Sequence, residues 1–279
     1  MNVSAPTLTI SIVTYRPNLA LLDATLRKLS QAIAMATQDE LLRAVNLVLV
    51  DNTGERATAE AVVKLGAAHF ESSAVTMNYL HGHANIGYGA AHNLVMHGGN
   101  THYHLVLNPD IELAGDALAV GLRYLAEHAQ VGVVVPAVFR PDGKREYLCK
   151  RYPSLTDLAL RGFAPSLVHG LFRRRLDRYE MRDVVGDGVV SPVPVMSGSF
   201  MLVRRKAIEV TGGFDPRFFL YFEDFDWSVR LNRVTQTAYL PDMRVVHHGG
   251  RAAGKGLRHV TYFTRSALRF FNKHGWNVW

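Results

Sequence analysis

The chain has 279 residues, 48% of them hydrophobic, enough for a sizeable core and within reach of one α/β domain with additions. Its single cysteine, Cys149, excludes an intramolecular disulfide framework and a cysteine-built zinc site, and fits a reducing compartment. The net charge of +7 is uneven: eleven Lys/Arg face five Asp/Glu between Arg140 and Arg182, seven Lys/Arg face no acid from Met243 to Trp279, and the remainder is near −6. Such asymmetry points to an anionic partner, whether a membrane surface, a diphosphate or a nucleic acid; either segment alone reads equally well as a solvated basic face. No basic leader precedes the first apolar run, and Arg16 and Pro17 come too early for a signal peptide or membrane span, so a soluble cytoplasmic protein is expected.

Leu8–Tyr15 is apolar and β-branched, hence a strand. Asn18 can cap a helix whose Leu19, Leu22, Leu26, Leu29 and Ile33 recur at helical spacing. Val45–Val50 is a nearly continuous apolar run ending at Asp51-Asn52-Thr53-Gly54, as a strand buried on both faces would. A helix through Ala57–Ala68 and a strand at Val75–Leu80 continue the alternation, which predicts a parallel sheet. Asn85-Ile86-Gly87-Tyr88-Gly89-Ala90-Ala91-His92-Asn93 then opens a helix. It lacks the third glycine of a dinucleotide fingerprint and is no GxxxxGK[ST] loop, which removes the support for those nucleotide folds and for a dehydrogenase. The strand His102–Leu107 ends in Asn108-Pro109-Asp110, placing a carboxylate at the carboxyl edge of the sheet, where α/β folds collect ligands; Asp110 reads equally as a turn or cap residue.

A helix (Ala117–His128) and a strand (Val131–Phe139) follow. From Lys144 to Val190 the alternation breaks into arginine-rich sequence, predicting an insertion or lid. Its Leu155, Leu158, Phe163, Leu167 and Phe172, beside Arg173–Arg175, suit either a bilayer interface or a surface helix pair. Val193–Val203 is expected to be one long strand, with Ser197-Gly198-Ser199 marking a close backbone approach. After the Gly212–Pro216 turn, Phe218–Arg230 sets Glu223, Asp224 and Asp226 against aromatic residues at the start of a helix. Burial there would make a carboxylate a better base for a sugar hydroxyl, although acids in a first helical turn are also favoured by the helix dipole alone. Val245–Gly250 carries two histidines, and a basic amphipathic helix is expected over Leu257–His274.

TYRP, DNTG, NIGYGAAHN, LNPDI, SGSFMLVRR, GGFDPRFFLYFEDFDWSVR and VVHHGG, in this order and spacing, resemble the inverting family-2 glycosyltransferases of the GT-A fold. Within them, the chain is most similar to bacterial rhamnosyltransferases of O-antigen and cell-wall polysaccharide assembly, a likeness that KRYPSLTDLALRG shares. The resemblance implies a Rossmann-like α/β domain over 1–243, with 144–190 inserted, and a helical extension over 244–279. It also implies a nucleotide-sugar site in which Thr14 and Tyr15 lie along base and ribose. Asp51 accepts a hydrogen bond from base or sugar, Asn85 and Gly87 contact the nucleotide, and Asn108, Asp110 and Ser199 complete the site. Where the family's metal motif has two aspartates, this chain has Asn108-Pro109-Asp110. A Mg²⁺ or Mn²⁺ ion would therefore rest on Asp110 and donor phosphates, with His247 as an added ligand favouring manganese and His248 as its alternative.

The implied reaction is displacement with inversion, Asp224 deprotonating the acceptor hydroxyl. Glu223 and Asp226 shape the field and hold Arg230, four residues beyond Asp226, while Trp227 offers a sugar platform or simply belongs to the core. The implied donor is dTDP-L-rhamnose, with UDP- and GDP-sugars as alternatives. The implied acceptor is a saccharide or a polyprenyl-diphosphate-linked saccharide, and the basic segments suit peripheral contact with the cytoplasmic leaflet. A nucleic-acid-binding module is the rival from another class, but no aromatic platform or binding motif accompanies the basic runs.

Overall fold

In the computed structural model, residues 5–70, 74–163, 170–249 and 257–279 are described. Leu167, Gly250, Arg251 and Lys255 lie outside them, as does the side chain of Phe163. The strands are β1 (Thr7–Thr14), β2 (Ala44–Asp51), β3 (Val75–Leu80), β4 (Tyr103–Leu107), β5 (Ile111–Leu113), β6 (Val131–Phe139), β7 (Arg145–Glu146), β8 (Phe200–Arg204) and β9 (Gln236–His247). They form one sheet in the order β3-β2-β1-β4-β8-β6-β9-β5, with β7 beside β6. The first four in that order are parallel, as a strand–helix–strand alternation requires, and β6 and β9 are parallel too. By contrast, β8 runs antiparallel to both β4 and β6, and β5 antiparallel to β9.

The reversed strand β8 brings two distant turns together. Phe200 at its start pairs with Leu107 at the end of β4. The Ser197-Gly198-Ser199 turn therefore meets Asn108-Pro109-Asp110 at one edge of the sheet, and the Asn108 N–H donates to the Ser199 carbonyl at 2.9 Å. The long strand expected over Val193–Val203 is thereby corrected to Phe200–Arg204. Pro192 and Pro194 cannot donate to a ladder, and Val195 pairs only with Lys150 in an isolated bridge.

The helices are α1 (Leu19–Gln38), α2 (Arg56–His69), α3 (Tyr88–Met96), α4 (Ala117–Glu127), α5 (Leu155–Phe163), α6 (Arg173–Tyr179), α7 (Arg205–Thr211), α8 (Glu223–Leu231) and α9 (Leu257–His274). Asn18 caps α1 through its side-chain oxygen, which accepts from the Ala20 and Leu21 amides. Leu22, Leu26, Leu29 and Ile33 of α1 are buried as their spacing predicts, while Leu19 is exposed. Side chains from α1 and α4 pack on one face of the sheet, and Met96, Ile208, Trp227 and Leu231 from α3, α7 and α8 on the other. A third cluster joins Phe218 and Phe222 to Leu158 of α5 and to Phe270 and Phe271 of α9. Strand β9 spans position 243, where its register on β6 shifts, and residues 244–247 remain in the main sheet.

Candidate active site

Three chain segments far apart in sequence converge on Tyr88 at the carboxyl edge of the sheet. Its phenol oxygen lies 2.9 Å from Asn108 Oδ1 and 2.7 Å from the Gly198 carbonyl. A phenol has one proton, so both contacts are satisfied together when the Asn108 amide is turned to donate and Tyr88 donates to Gly198. Gly198 in turn donates its N–H to Asp224 Oδ2 at 3.0 Å. A side chain at 198 would press within 3.2 Å of the Asp224 Cβ and 3.3 Å of the Tyr88 ring, which explains the glycine. Burial, followed by the carboxylates of Glu223, Asp224 and Asp110, raises the Tyr88 phenol well above its usual value, so it stays protonated as a donor. Its ring rests edge-on at 4.6 Å against His92, whose Nδ1 lies 2.6 Å from the buried Ser11 hydroxyl.

Asp224 opens α8, with Oδ1 accepting from the Phe225 amide at 2.9 Å. Burial raises its carboxyl above the usual range, against the opposing pull of the Gly198 and Phe225 N–H groups. Glu223 beside it is 5% exposed, and its Oε2 has no hydrogen-bond partner among the described residues. Burial, reinforced by the charge of Asp224, holds it well above the carboxylate range. Among the described residues no cation stands beside the pair, and it is biased toward holding protons, as a base that must work near neutrality requires.

Asp110 follows β4, and His247 ends β9. His247 Nε2 lies 3.5 Å from Asp110 Oδ1, an oxygen that is buried without a hydrogen-bond partner among the described residues. The other imidazole nitrogen, Nδ1, is held at 3.1 Å by Glu146 Oε2 of β7. Burial pulls the His247 pKa down, but Asp110 and Glu146 outweigh it and push it up to about 9. Because neighbouring strand residues point to opposite faces, His248 turns instead to Glu112, at 2.6 Å. Gly249 leaves the space this arrangement needs: a Cβ there would sit 2.1 Å from Asp110 Oδ2. An orphaned carboxylate oxygen beside an imidazole that a second carboxylate orients is a fitting donor set for a divalent cation. No cluster of three His, Cys, Asp or Glu able to hold a metal occurs among the described residues, so phosphate and water would supply the other ligands.

Farther along the same edge, Thr14 and Asp51 are paired in register at the ends of β1 and β2, and both are fully buried. Asp51 accepts from the Thr53 amide at 2.9 Å and the Gly54 amide at 3.3 Å, while Tyr15 is 52% exposed. A cavity of about 560 Å³ adjoins Asp51, walled by Gly54, Arg56, Val63, Tyr79 and His81. Asn85 Oδ1 accepts from the Gly87 amide at 3.0 Å. Gly87 itself has φ +91°, and a Cβ on it would lie 2.4 Å from the Phe219 carbonyl oxygen, so the chain's own backbone explains this glycine. Ser199, 7% exposed, lies within 3.1 Å of Ser197.

Asp226 holds Arg230 as their spacing on α8 predicts, and of the two readings of Trp227 the core is the one its burial supports. Trp227 is wholly buried and donates Nε1–H to Thr211 Oγ1 at 2.9 Å, so no sugar can stack on it. Asp226, also wholly buried, sits on the opposite side of α8 from Asp224 and is engaged by Arg230 (2.8 Å), Lys273 (2.6 Å) and His274 (2.7 Å). Arg230 is spent there and on the carbonyls of Thr211 and Gly213. Sequence reasoning misses Tyr88 and Glu146. Tyr88 carries a signal, an aromatic residue between two glycines at a helix start; Glu146, on a two-residue strand, carries none.

No family model matches the chain. Over 284 aligned residues it is 27% identical to N-acetylglucosaminyl-diphospho-decaprenol L-rhamnosyltransferase of Mycobacterium tuberculosis, covering 96% of this chain and 86% of that protein. It is 30% identical to rhamnosyltransferase WbbL of Escherichia coli over 149 residues, about half of each chain. Among solved structures, the mannosyltransferase PcManGT of Pyrobaculum calidifontis, in complex with GDP-Man and Mn²⁺, superposes with TM-score 0.61 at 18% identity, over 96% of this chain and 65% of that one. GalNAc-T7 with UDP, GalNAc and Mn²⁺ superposes with TM-score 0.64 at 14% identity, over 97% of this chain and 48% of that one. The fold is GT-A.

Proposed function

Taking the chain as the GT-A-type glycosyltransferase that these likenesses support, similar to rhamnosyltransferases, we propose that it moves L-rhamnose from dTDP-L-rhamnose to a sugar linked to a lipid diphosphate. The observation that carries this reading is the convergence on Tyr88 of Asp224, on one side, and of the loop bearing Asp110, with His247, on the other. One group suits an acceptor hydroxyl and the other a diphosphate.

Asp224 takes the acceptor proton as the hydroxyl oxygen attacks the anomeric carbon from the face opposite the departing diphosphate, which inverts the configuration. The Gly198 amide and the α8 backbone fix the carboxylate for that attack, and Tyr88 fixes Gly198. Asp110 and His247 would hold a Mg²⁺ or Mn²⁺ ion, which when bound neutralises charge on the leaving diphosphate. Asp51 and the cavity beside it receive the nucleoside, with Thr14, Tyr15 and Asn85 at its margin. Burial, with no cation beside it among the described residues, keeps the Asp224 carboxylate basic.

The test is transfer from dTDP-L-rhamnose to a short-chain N-acetylglucosaminyl diphospholipid, with and without Mn²⁺, compared with UDP- and GDP-sugar donors. Rhamnosylation in which the anomeric configuration is opposite to the donor's is the expected result. Faster transfer from a UDP- or GDP-sugar would replace the donor, and retention of configuration would remove Asp224 as base.

A further inference from the structure

The face formed by α6, the C-terminal residues and the outer side of α9 takes no part in sugar transfer, yet it is built. Helix α9 buries Phe270 and Phe271 against Phe218 and Phe222 and turns Arg258, Arg265, Leu268 and Arg269 outward. The last residues are pinned: the Leu155 amide donates to the Asn277 carbonyl at 2.8 Å and the Thr156 hydroxyl to the Val278 carbonyl at 2.6 Å. Trp279 is nevertheless 75% exposed and Val278 63%, while Trp276, 52% exposed, stacks one face on Phe271 and leaves the other to solvent. The Arg175 guanidinium of α6 lies over the Trp279 ring at 4.4 Å, and just before α6 Leu171 is 85% exposed beside exposed Arg173 and Arg174. No acid occurs from Leu257 to Trp279. A cavity of about 490 Å³ lined by Arg217, Arg265, Leu268, Arg269, Asn272 and Lys273 opens here. Arg217 and Lys273 are answered by Asp215, while Arg265 has no acidic partner among the described residues.

Arg173 and Arg175 pair with Asp177 and Asp157, but Arg174, Arg258, Arg265 and Arg269 have no acidic partner among the described residues, and anchored backbone carrying exposed tryptophans beside such cations is costly to leave in water and suits the boundary of an anionic bilayer. We propose that this face docks on an anionic phospholipid membrane, with Leu171, Trp276, Val278 and Trp279 at headgroup depth and lipid phosphate at Arg265 and its cavity. Tryptophan rests at that depth because its ring is apolar and its N–H is not, and each arginine near a negatively charged leaflet adds attraction that salt weakens. The proposal stands on this surface alone and does not require the transferase reading.

The full chain is floated with vesicles of pure phosphatidylcholine, and with vesicles containing added phosphatidylglycerol, at physiological salt and without sugar nucleotide or acceptor. Two of the chain's three tryptophans are on this face and the third, Trp227, is wholly buried, so a blue shift of intrinsic emission on vesicle addition reports Trp276 and Trp279. Flotation with the anionic vesicles only, accompanied by that shift, is expected. Arg174→Glu with Arg265→Glu, two exposed side chains, should cut binding by about tenfold or more while circular dichroism is unchanged. Absence of flotation, equal binding to neutral vesicles, indifference to the charge reversal, or tighter binding to duplex DNA than to vesicles would each overturn it. Because no donor or acceptor is present, failure here leaves the transferase reading standing, and failure of transfer leaves this one standing.

Discussion

Two carboxylates on one helix, two residues apart, have opposite surroundings. Asp226 is enclosed by Arg230, Lys273 and His274, whereas Asp224 and its neighbour Glu223 have backbone amides and a phenol nearby but no cation among the described residues. The same residue type is thus committed to holding α9 on one face of α8 and left free to move a proton on the other. Charge compensation, more than burial, separates the structural acid from the acid proposed to react, since Asp226 is the more deeply buried of the two.

Asp224→Asn tests the reactive side and carries the largest expected effect. Transfer should fall by roughly 10²- to 10⁴-fold in kcat with donor affinity and melting temperature held, measured by steady-state kinetics and calorimetry. Asp226→Asn should do the reverse. Stripping the shared partner from two cations, Arg230 and Lys273, and from the buried His274 imidazole should cost about 3–5 kcal/mol of stability in urea unfolding, with kcat of the surviving folded fraction little changed. An Asp226 variant that folds normally but transfers no sugar would dissolve the contrast.

Tyr88→Phe comes next, because it removes one hydroxyl that holds both Gly198 and Asn108. A loss of about 0.5–1.5 kcal/mol of transition-state stabilisation is expected, up to roughly tenfold in kcat. The acid limb of the pH–rate profile should move as well, since Tyr88 acts through the amide that steadies Asp224; a purely structural role would leave that limb in place.

The smallest effect is a pair of pH slopes with opposite signs. Folded Glu223 keeps its proton well above the ordinary 4.5 at which the unfolded chain releases it, so stability falls as pH rises from that value toward the raised one. Glu223→Gln should flatten this decline. Asp215 behaves oppositely: hydrogen bonds from Arg217, then Lys273, hold its carboxyl far below the ordinary 3.8, so its contribution is present above that value and lost as acid is added. Urea midpoints across the pH range should show a shallower decline toward alkaline pH in Glu223→Gln, with what remains carried by Asp224 and His247, while the acid slope persists.

The strands and helices of the first half are legible because each obeys a local rule: continuous apolar runs for β1 and β2, a capping asparagine for α1, a polar turn after Val50. That Asp224, Asp110 and His247 belong to one candidate site is legible only through the order of motifs, since nothing local says that positions 110 and 224 meet. What brings them together is the reversal of β8, and Pro194, which helps to shorten that strand, sits inside an apolar run that reads as one continuous strand. Trp227 is legible only as a choice between sugar platform and core. An aromatic residue beside three acids resembles a sugar platform, yet helical periodicity puts it on the core side with Leu231, a placement visible only once α8 has a sheet to lie on.

The missing side chain at position 87 constrains how this molecule can change. With the start of α3 pressed on the Phe219 carbonyl too tightly to admit a methyl group, the half that would grip the nucleoside and the half that would choose the acceptor are fitted to each other at that point. A chimera that exchanged residues before position 100 for those of a relative with another donor base should therefore inherit its specificity only when the 214–222 turn travels with them. Donor and acceptor preference in this lineage would then be exchanged as a matched block and not as separate modules.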